Sequence, residues 1–218
     1  MAGCRIGIGR DAVKSILPDE VPVVIDTLRA ASTIVTALAS GVTEIIPVAC
    51  DEEAFRLKEQ GMVIAGESGG VKLPGFDLGN SPLEVQNRIQ RSPCKTMAFK
   101  TSNMVPLLLM LSRAWICSSL NLSIMAHHLK GTDVSIIAVG GEHGVTEDLA
   151  VAIALFGLLS NAPFDEHLIT YFIQESPAAR HLSTIGYRDD VMFISRVNIY
   201  DVLPYYDGRT IKNRYVCD

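Results

Sequence analysis

The chain has 218 residues, 48% of them hydrophobic and 20% charged, a length and composition that bury a sizeable core and exclude a disordered chain. A net charge of −5, a pI near 5.5 and lysines and arginines scattered without a basic face argue against nucleic acid as a partner.

In chain order, Cys4 is expected in a first strand. Short β-branched runs then alternate with helical patterns: Val21–Asp26 before Ala30–Ser40, Thr43–Val48 before Asp51–Gln60, and Val63–Gly66 before a glycine-rich loop and a helix over Ser81–Ile89. The second half continues the rhythm with Thr96–Lys100, Val105–Ser112, Ala114–Ser118, Leu122–Leu129, Val134–Val139 and Thr146–Leu159. After Asp165 come a helix or two, a strand near Val191–Ser195 and a turn at Asp207-Gly208.

This βαβ order predicts an α/β fold, three-layer α/β/α, with a mostly parallel sheet covered by helices on both faces. The chain reads as a single α/β unit over 1–218. The similar strand endings Val63–Glu67 and Ile137–Glu142 leave open two intimately packed, similar halves, about 1–92 and 93–218.

The uncharged stretch Leu149 to Phe164 is shorter than the roughly 20 residues a membrane span needs and contains Gly157, Asn161 and Pro163, so no membrane association is expected. Cys4, Cys50, Cys94, Cys117 and Cys217 are far apart and form no CxxC pair, which excludes a disulfide framework and a zinc knuckle and suits a reducing cytoplasm. A homodimer is the base-rate expectation for assembly.

In a parallel sheet, ligands lie outside the carboxyl ends of the strands. Polar residues collect there. Asp26 ends one strand and Glu67 another, Thr101-Ser102-Asn103 follows a third, and Ser119 and Asn121 follow a fourth. Asp26 to Thr33 breaks from strand into a helix of small residues. Its N–H groups near Ser32 and the planar fork of Arg29 suit an oxyanion, whereas a purely structural reading has Asp26 cap the helix and pair with Arg29 on the surface.

The strongest local signal is Gly66-Glu67-Ser68-Gly69-Gly70 followed by Gly75-Phe76-Asp77-Leu78-Gly79-Asn80-Ser81-Pro82-Leu83-Glu84, with five glycines in fourteen residues. Such a loop exposes N–H groups to an oxyanion or a metal-bound ligand. Ser81, Pro82 and Glu84 also form a helix start with a capping box. No Walker A or GxGxxG signature is present. The five histidines show no paired-ligand spacing and are expected to be solvent-facing or hydrogen-bonded, with His143 alone in a candidate site loop. Glu147-Asp148 opens a helix, where acids complement the dipole even without a further role.

Taken in order, Ile25-Asp26-Thr27-Leu28-Arg29-Ala30, Gly66-Glu67, Gly75 to Pro82, Asn103, Asn121, Glu147-Asp148 and Gly186-Tyr187 with Asp190-Val191 resemble the 2-phosphosulfolactate phosphatase family. The resemblance covers about Val23 to Pro204. It implies a magnesium-dependent acid phosphatase of three-layer α/β/α architecture that hydrolyses 2-phospho-3-sulfolactate, in methanogens a step toward coenzyme M.

On that reading Glu67, Asp77 and Glu147 hold magnesium, Arg29 with the N–H groups near Ser32 takes the phosphate, and Asn80, Ser81 and Asn103 orient the substrate. Asp26 is nucleophile or general base. The substrate is a small anionic phosphate ester. Two positions depart from the family pattern: Ser68 stands where an arginine is usual, and Ser102-Asn103-Met104-Val105 where Thr-Asn-Gly-Thr is usual. They motivate an alternative, a relative that binds an anionic metabolite without turnover. Lys72 or Lys100 is the expected substitute for the missing cation.

Overall fold

A computed structural model describes residues 3–214; of the cysteines read as reduced, Cys217 lies outside the described residues. The other four are free thiols. The strands are β1 (Cys4–Ile8), β2 (Val21–Ile25), β3 (Glu44–Pro47), β4 (Val63–Ser68), β5 (Val71–Lys72), β6 (Thr96–Lys100), β7 (Ala114–Cys117), β8 (Val134–Ala138), β9 (Pro204–Tyr206) and β10 (Ile211–Asn213). The helices are α1 (Gly9–Val13), α2 (Ala30–Ala39), α3 (Asp51–Glu59), α4 (Pro82–Arg91), α5 (Met104–Leu108), α6 (Leu122–His128), α7 (Thr146–Leu159), α8 (Glu166–Gln174), α9 (Pro177–Thr184) and α10 (Arg188–Ile194).

All ten strands form one sheet in the order β1-β8-β2-β7-β9-β10-β3-β6-β4-β5. Two parallel blocks, β1-β8-β2-β7 and β3-β6-β4, are joined by the antiparallel pair β9–β10, whose turn falls at the predicted Asp207-Gly208. The stretches 1–92 and 93–218 each send strands to both blocks. The antiparallel steps β7–β9, β9–β10 and β10–β3 nominally reverse one block against the other. Even so, the residues at or just after the carboxyl ends of β2, β4, β6 and β8 line one cavity.

The layers follow from which residues alternate to which face. Val24, Ile116, Ile137, Ile45, Met97 and Phe99 face α2, α4 and α5 in one core that spans both blocks. Val23, Ile25, Trp115 and Ile136 face the opposite way, onto α6, α7 and α8. On that same side of the second block, Ile64 and Ala98 pack with Ala54 of α3. Buried on both faces, the strands read as apolar runs without alternation. The small residues of α2, buried from Ala30 to Leu38, let its backbone settle between the blocks and against α4.

Two local expectations are corrected. Val191–Ser195 is not a strand but the end of α10, where Val191, Phe193 and Ile194 are buried and Met192 is 49% exposed. Among the described residues three helices, rather than one or two, follow Asp165. Among the described residues, no helix is long and apolar enough to cross a membrane.

Candidate active site

A cavity of about 220 Å3 opens where those carboxyl ends meet. Asp26, Leu28 and Arg29 wall it after β2, Glu67, Gly69 and Gly70 at the end of β4, and Asn80 just before α4. Ser102 and Asn103 after β6, Gly140 to Gly144 after β8, Glu147 and Asp148 on α7, and Ala178, His181 and Leu182 on α9 complete it.

Asp26 is buried, and its Oδ1 accepts the Ala30 N–H at 3.0 Å, so it does cap the start of α2. Burial first, and then the negative charges of Glu67 and Glu147, push its carboxyl up to about 7; the Ala30 N–H and Arg29 pull the other way. Arg29 does not pair with Asp26 on the surface. Its Nη1 donates to Asp190 Oδ2 at 2.8 Å, its Nη2 to the Gly70 carbonyl at 2.5 Å, and its guanidinium lies 3.9 Å from the centre of the Tyr187 ring. The fork lines the cavity while joining the β4–β5 turn to α10. Ser32 does not reach the cavity; it is fully buried and its hydroxyl donates to the Thr27 carbonyl at 2.8 Å.

Glu67 organises two loops at once. Its Oε1 accepts the Ser102 N–H at 2.7 Å and its Oε2 the Gly70 N–H at 2.7 Å, which folds the β4–β5 turn and the β6–α5 loop around one carboxylate. Gly66 must be glycine, since a Cβ there would lie 2.5 Å from the Lys100 carbonyl on the neighbouring strand.

The segment Gly75 to Pro82 runs beside β4, with the Asp77 and Leu78 N–H groups bonded to the Ile64 carbonyl and the Gly66 N–H to the Leu78 carbonyl. Asp77 faces away from the cavity. Its Oδ2 accepts the Ile64 N–H at 3.0 Å and its Oδ1 meets Lys58 at 2.6 Å. Burial alone would raise its carboxyl, but the Ile64 N–H and Lys58 outweigh burial and hold it below its usual value. Asp77 is thus not brought together with Glu67 and Glu147. Ser81 is likewise outside the cavity. It caps α4 by accepting the Glu84 N–H at 3.1 Å, and it donates to Asp190 Oδ1 at 2.7 Å. Glu84 reaches back to the Gly79 N–H, not to that of Ser81 as in a standard capping box. From this whole stretch only Asn80 lines the cavity, and its Oδ1 is buried without a partner.

Asn103 packs on Gly141, where a Cβ would lie 2.6 Å from its Nδ2. Glu147 is buried in the first turn of α7, and its Oε2 has no partner. Burial raises its carboxyl. Asp148 joins the ends of two neighbouring strands, its Oδ1 accepting the Thr27 N–H at 2.6 Å and its Oδ2 the Gly140 N–H at 2.8 Å. Burial, then Asp26 and Glu147, push Asp148 well above the usual carboxylate range.

A family model described as 2-phosphosulpholactate phosphatase matches residues 9–209. The chain belongs to that family. It is 33% identical over 199 residues to a protein of Thermotoga petrophila named "Probable 2-phosphosulfolactate phosphatase", with 84% of this chain and 87% of the relative aligned. A protein of the same name from Carboxydothermus hydrogenoformans is 32% identical over 222 residues, covering 92% of this chain and 91% of the other. The "2-phosphosulfolactate phosphatase" of Methanothermobacter thermautotrophicus is 32% identical over 203 residues, covering 86% and 87%.

Every cavity-lining residue lies inside the span matched by the phosphatase family model. Of the residues expected to carry the site, Asp26, Arg29, Glu67, Asn80, Asn103 and Glu147 share the cavity, while Ser32, Asp77 and Ser81 do not. Ser119 and Asn121 also serve the fold, by bonding the carbonyls of Ile194, Ile116 and Val202. Lys72 and Lys100 are paired with Glu84 and Asp51 and line no part of the cavity.

Sequence reasoning passed over two groups. Asp148 was masked by its place in a helix start, where an acid has an ordinary explanation. His181 sits in a helix far from any glycine-rich loop and carries no local signal. It is stacked on His143, with ring centres 4.0 Å apart, and its Nε2 is buried without a partner.

Among the described residues no group of three or more His, Cys, Asp or Glu side chains is spaced as a ready metal cage. The donor chemistry nevertheless suits a hard divalent cation. Buried carboxylates line one cavity, burial and then their repulsion raise Asp26, and the unpartnered Glu147 Oε2 and Asn80 Oδ1 are oxygen donors.

Proposed function

We propose that this chain is a magnesium-dependent phosphatase that hydrolyses 2-phosphosulfolactate, or a similar small anionic phosphate ester, to the hydroxy acid and phosphate. The observation that carries the reading is the like-charged set Asp26, Glu67 and Glu147 around one cavity, with Asp26 raised to about 7 by burial and by its neighbours. Such a set is at its most favourable with a cation among its members. The names of the relatives supply the substrate class.

In this account Glu67 and Glu147 hold the magnesium. When bound, the ion would polarise the phosphoryl oxygens and offset part of the substrate's roughly four negative charges. Arg29, fixed by Asp190 and Tyr187, presents positive charge to the phosphoryl group without needing to move. Asn80 and Asn103 donate from their amides to orient the ester. Asp26 has Oδ1 held by Ala30, and among the described residues Oδ2 makes no hydrogen bond. That oxygen takes the proton of the attacking water, a task suited to a base whose affinity for protons is near the working pH. The same oxygen is the candidate nucleophile for a phosphoenzyme route.

The non-catalytic reading rested on Ser68 and Met104. Met104 is fully buried among Leu107 and Leu108 and does not line the cavity, so it does not close the loop over it. Phosphate release from an aryl phosphate, measured with magnesium and with a chelator, decides between the readings. The phosphatase releases phosphate only with magnesium and loses about 100-fold or more in kcat as Asp26→Asn. Near-normal turnover by Asp26→Asn removes Asp26 from the chemistry. No release from any of a panel of phosphorylated hydroxy acids favours the binder.

A further inference from the structure

One wall of the cavity stands outside the roles just assigned. Gly141 and Gly144 exchange backbone hydrogen bonds, Gly141 N–H to the Gly144 carbonyl at 2.9 Å and the reverse at 3.1 Å. The tight turn between them holds Glu142 and His143 at its tip. His143 is thereby presented to α9, where His181 stacks on it with ring centres 4.0 Å apart and planes 26° from parallel. Both rings line the cavity, and so does Gly70, whose Cα neighbourhood the His181 Nε2 approaches.

The balance of donors makes this pair informative. The remaining walls carry the carboxylates of Asp26, Glu67, Glu147 and Asp148, Glu142 shares the turn with His143, and among the described residues no lysine lines the cavity. The Arg29 fork is already bonded to Asp190 and Gly70. An ester that carries a second acidic group besides its phosphate therefore needs a donor beyond Arg29. His143 and His181 are the cavity's imidazoles, and the Nε2 of His181 is shut from solvent with no hydrogen-bond partner. A buried ring nitrogen left unpaired is unfavourable unless a ligand completes it.

Resting on the proposed phosphate-ester site, we propose that His143 and His181 form the subsite for the acidic group on the alcohol part of the substrate, a carboxylate or a sulfonate. The pair is specificity-determining: it sets a preference for esters with a second acid over simple phosphates.

The test is binding of three non-hydrolysable probes, methylphosphonate, phosphonoacetate and phosphonomethanesulfonate, by calorimetry in the presence of magnesium. The wild-type protein binds at least one acid-bearing phosphonate roughly tenfold or more tighter than methylphosphonate, the size expected of hydrogen bonds to a charged group. Which of the two it prefers separates a carboxylate subsite from a sulfonate one.

His181→Phe and His143→Phe keep a ring in the stack and remove the nitrogens. Each shrinks that preference to within about threefold and leaves methylphosphonate affinity within about twofold, which also shows that the variants are folded. An unchanged preference in both variants, equal loss for all three probes, or no preference in the wild type overturns the proposal. Phosphate release from an aryl phosphate by the wild-type protein is scored separately. Histidine-dependent preference without any release sinks the phosphatase reading and keeps the subsite; release without that preference does the reverse.

Discussion

Arg29 Nη1 lies 2.8 Å from Asp190 Oδ2, and the two side chains are 2% and 3% exposed. Burial pushes the Asp190 carboxyl up by more than Ser81 and Arg29 pull it down, and the cost of taking both charges out of water offsets much of their mutual attraction. Breaking the pair is another matter, because Arg29 would remain buried without its carboxylate. Asp190→Ala is expected to cost about 3–5 kcal/mol in urea unfolding, and much less in an Arg29→Met background. A loss under about 1 kcal/mol in the wild-type background would mean that solvent reaches Arg29.

The raised carboxyl of Asp26 makes stability depend on pH. Its ordinary value is 3.8 and its value in the fold about 7, so between these the folded chain binds more protons than the unfolded one. Stability is therefore greatest at the acid side of that window and falls as pH rises through it. With a chelator present, the melting temperature should drop from pH 5 to pH 8, and Asp26→Asn should flatten the profile and be the more stable protein at pH 8. Parallel profiles for the two proteins would remove Asp26 as the cause.

Glu147 and Asp77 should respond oppositely to magnesium. At pH 8 magnesium is expected to raise the melting temperature of the wild-type protein, and Glu147→Gln to abolish most of that rise. Asp77→Ala should lose about 1–3 kcal/mol of stability, because the Ile64 N–H and Lys58 lose their acceptor, and keep the full magnesium response. A magnesium response that disappears with Asp77→Ala would restore Asp77 to the metal site.

Asn103 has its position set by the bare backbone at residue 141. Gly141→Ala would place a Cβ 2.6 Å from Asn103 Nδ2 and force the amide aside. We expect kcat/KM to fall by about tenfold or more with little change in melting temperature. An unaffected rate would show that Asn103 does not position substrate.

These outcomes also mark what could be read from the chain alone. Apolar runs such as Val23-Val24-Ile25 announce strands buried on both faces, and the helices between them announce the layers. The strand order was not legible, since β9 and β10 join the blocks through contacts more than 80 residues apart in sequence, as in Trp115 opposite Tyr205. Val191–Ser195 looked extended because short apolar runs fit either period; packing of α10 on α9 and its Asp190–Arg29 pair make it helical.

The site was legible where a polar residue ends a strand, as at Asp26 and Glu67. It was not legible within Gly75 to Pro82, where Asp77, Asn80 and Ser81 are equally polar. Whether each bonds its own neighbours or faces the cavity depends on the path of the segment beside β4. For His181 and Asp148 the decisive partners lie on other elements, and no local spacing encodes them.

One cation is expected to share the cavity with Asp26, Glu67 and Glu147. Crystals soaked in manganese, with an anomalous difference map, test it most directly. We predict a peak within coordinating distance of Glu67 and Glu147 and beside Asp26. A peak beside Asp77 and Lys58 instead, or an empty cavity in crystals of a protein whose phosphate release survives chelation, would contradict it.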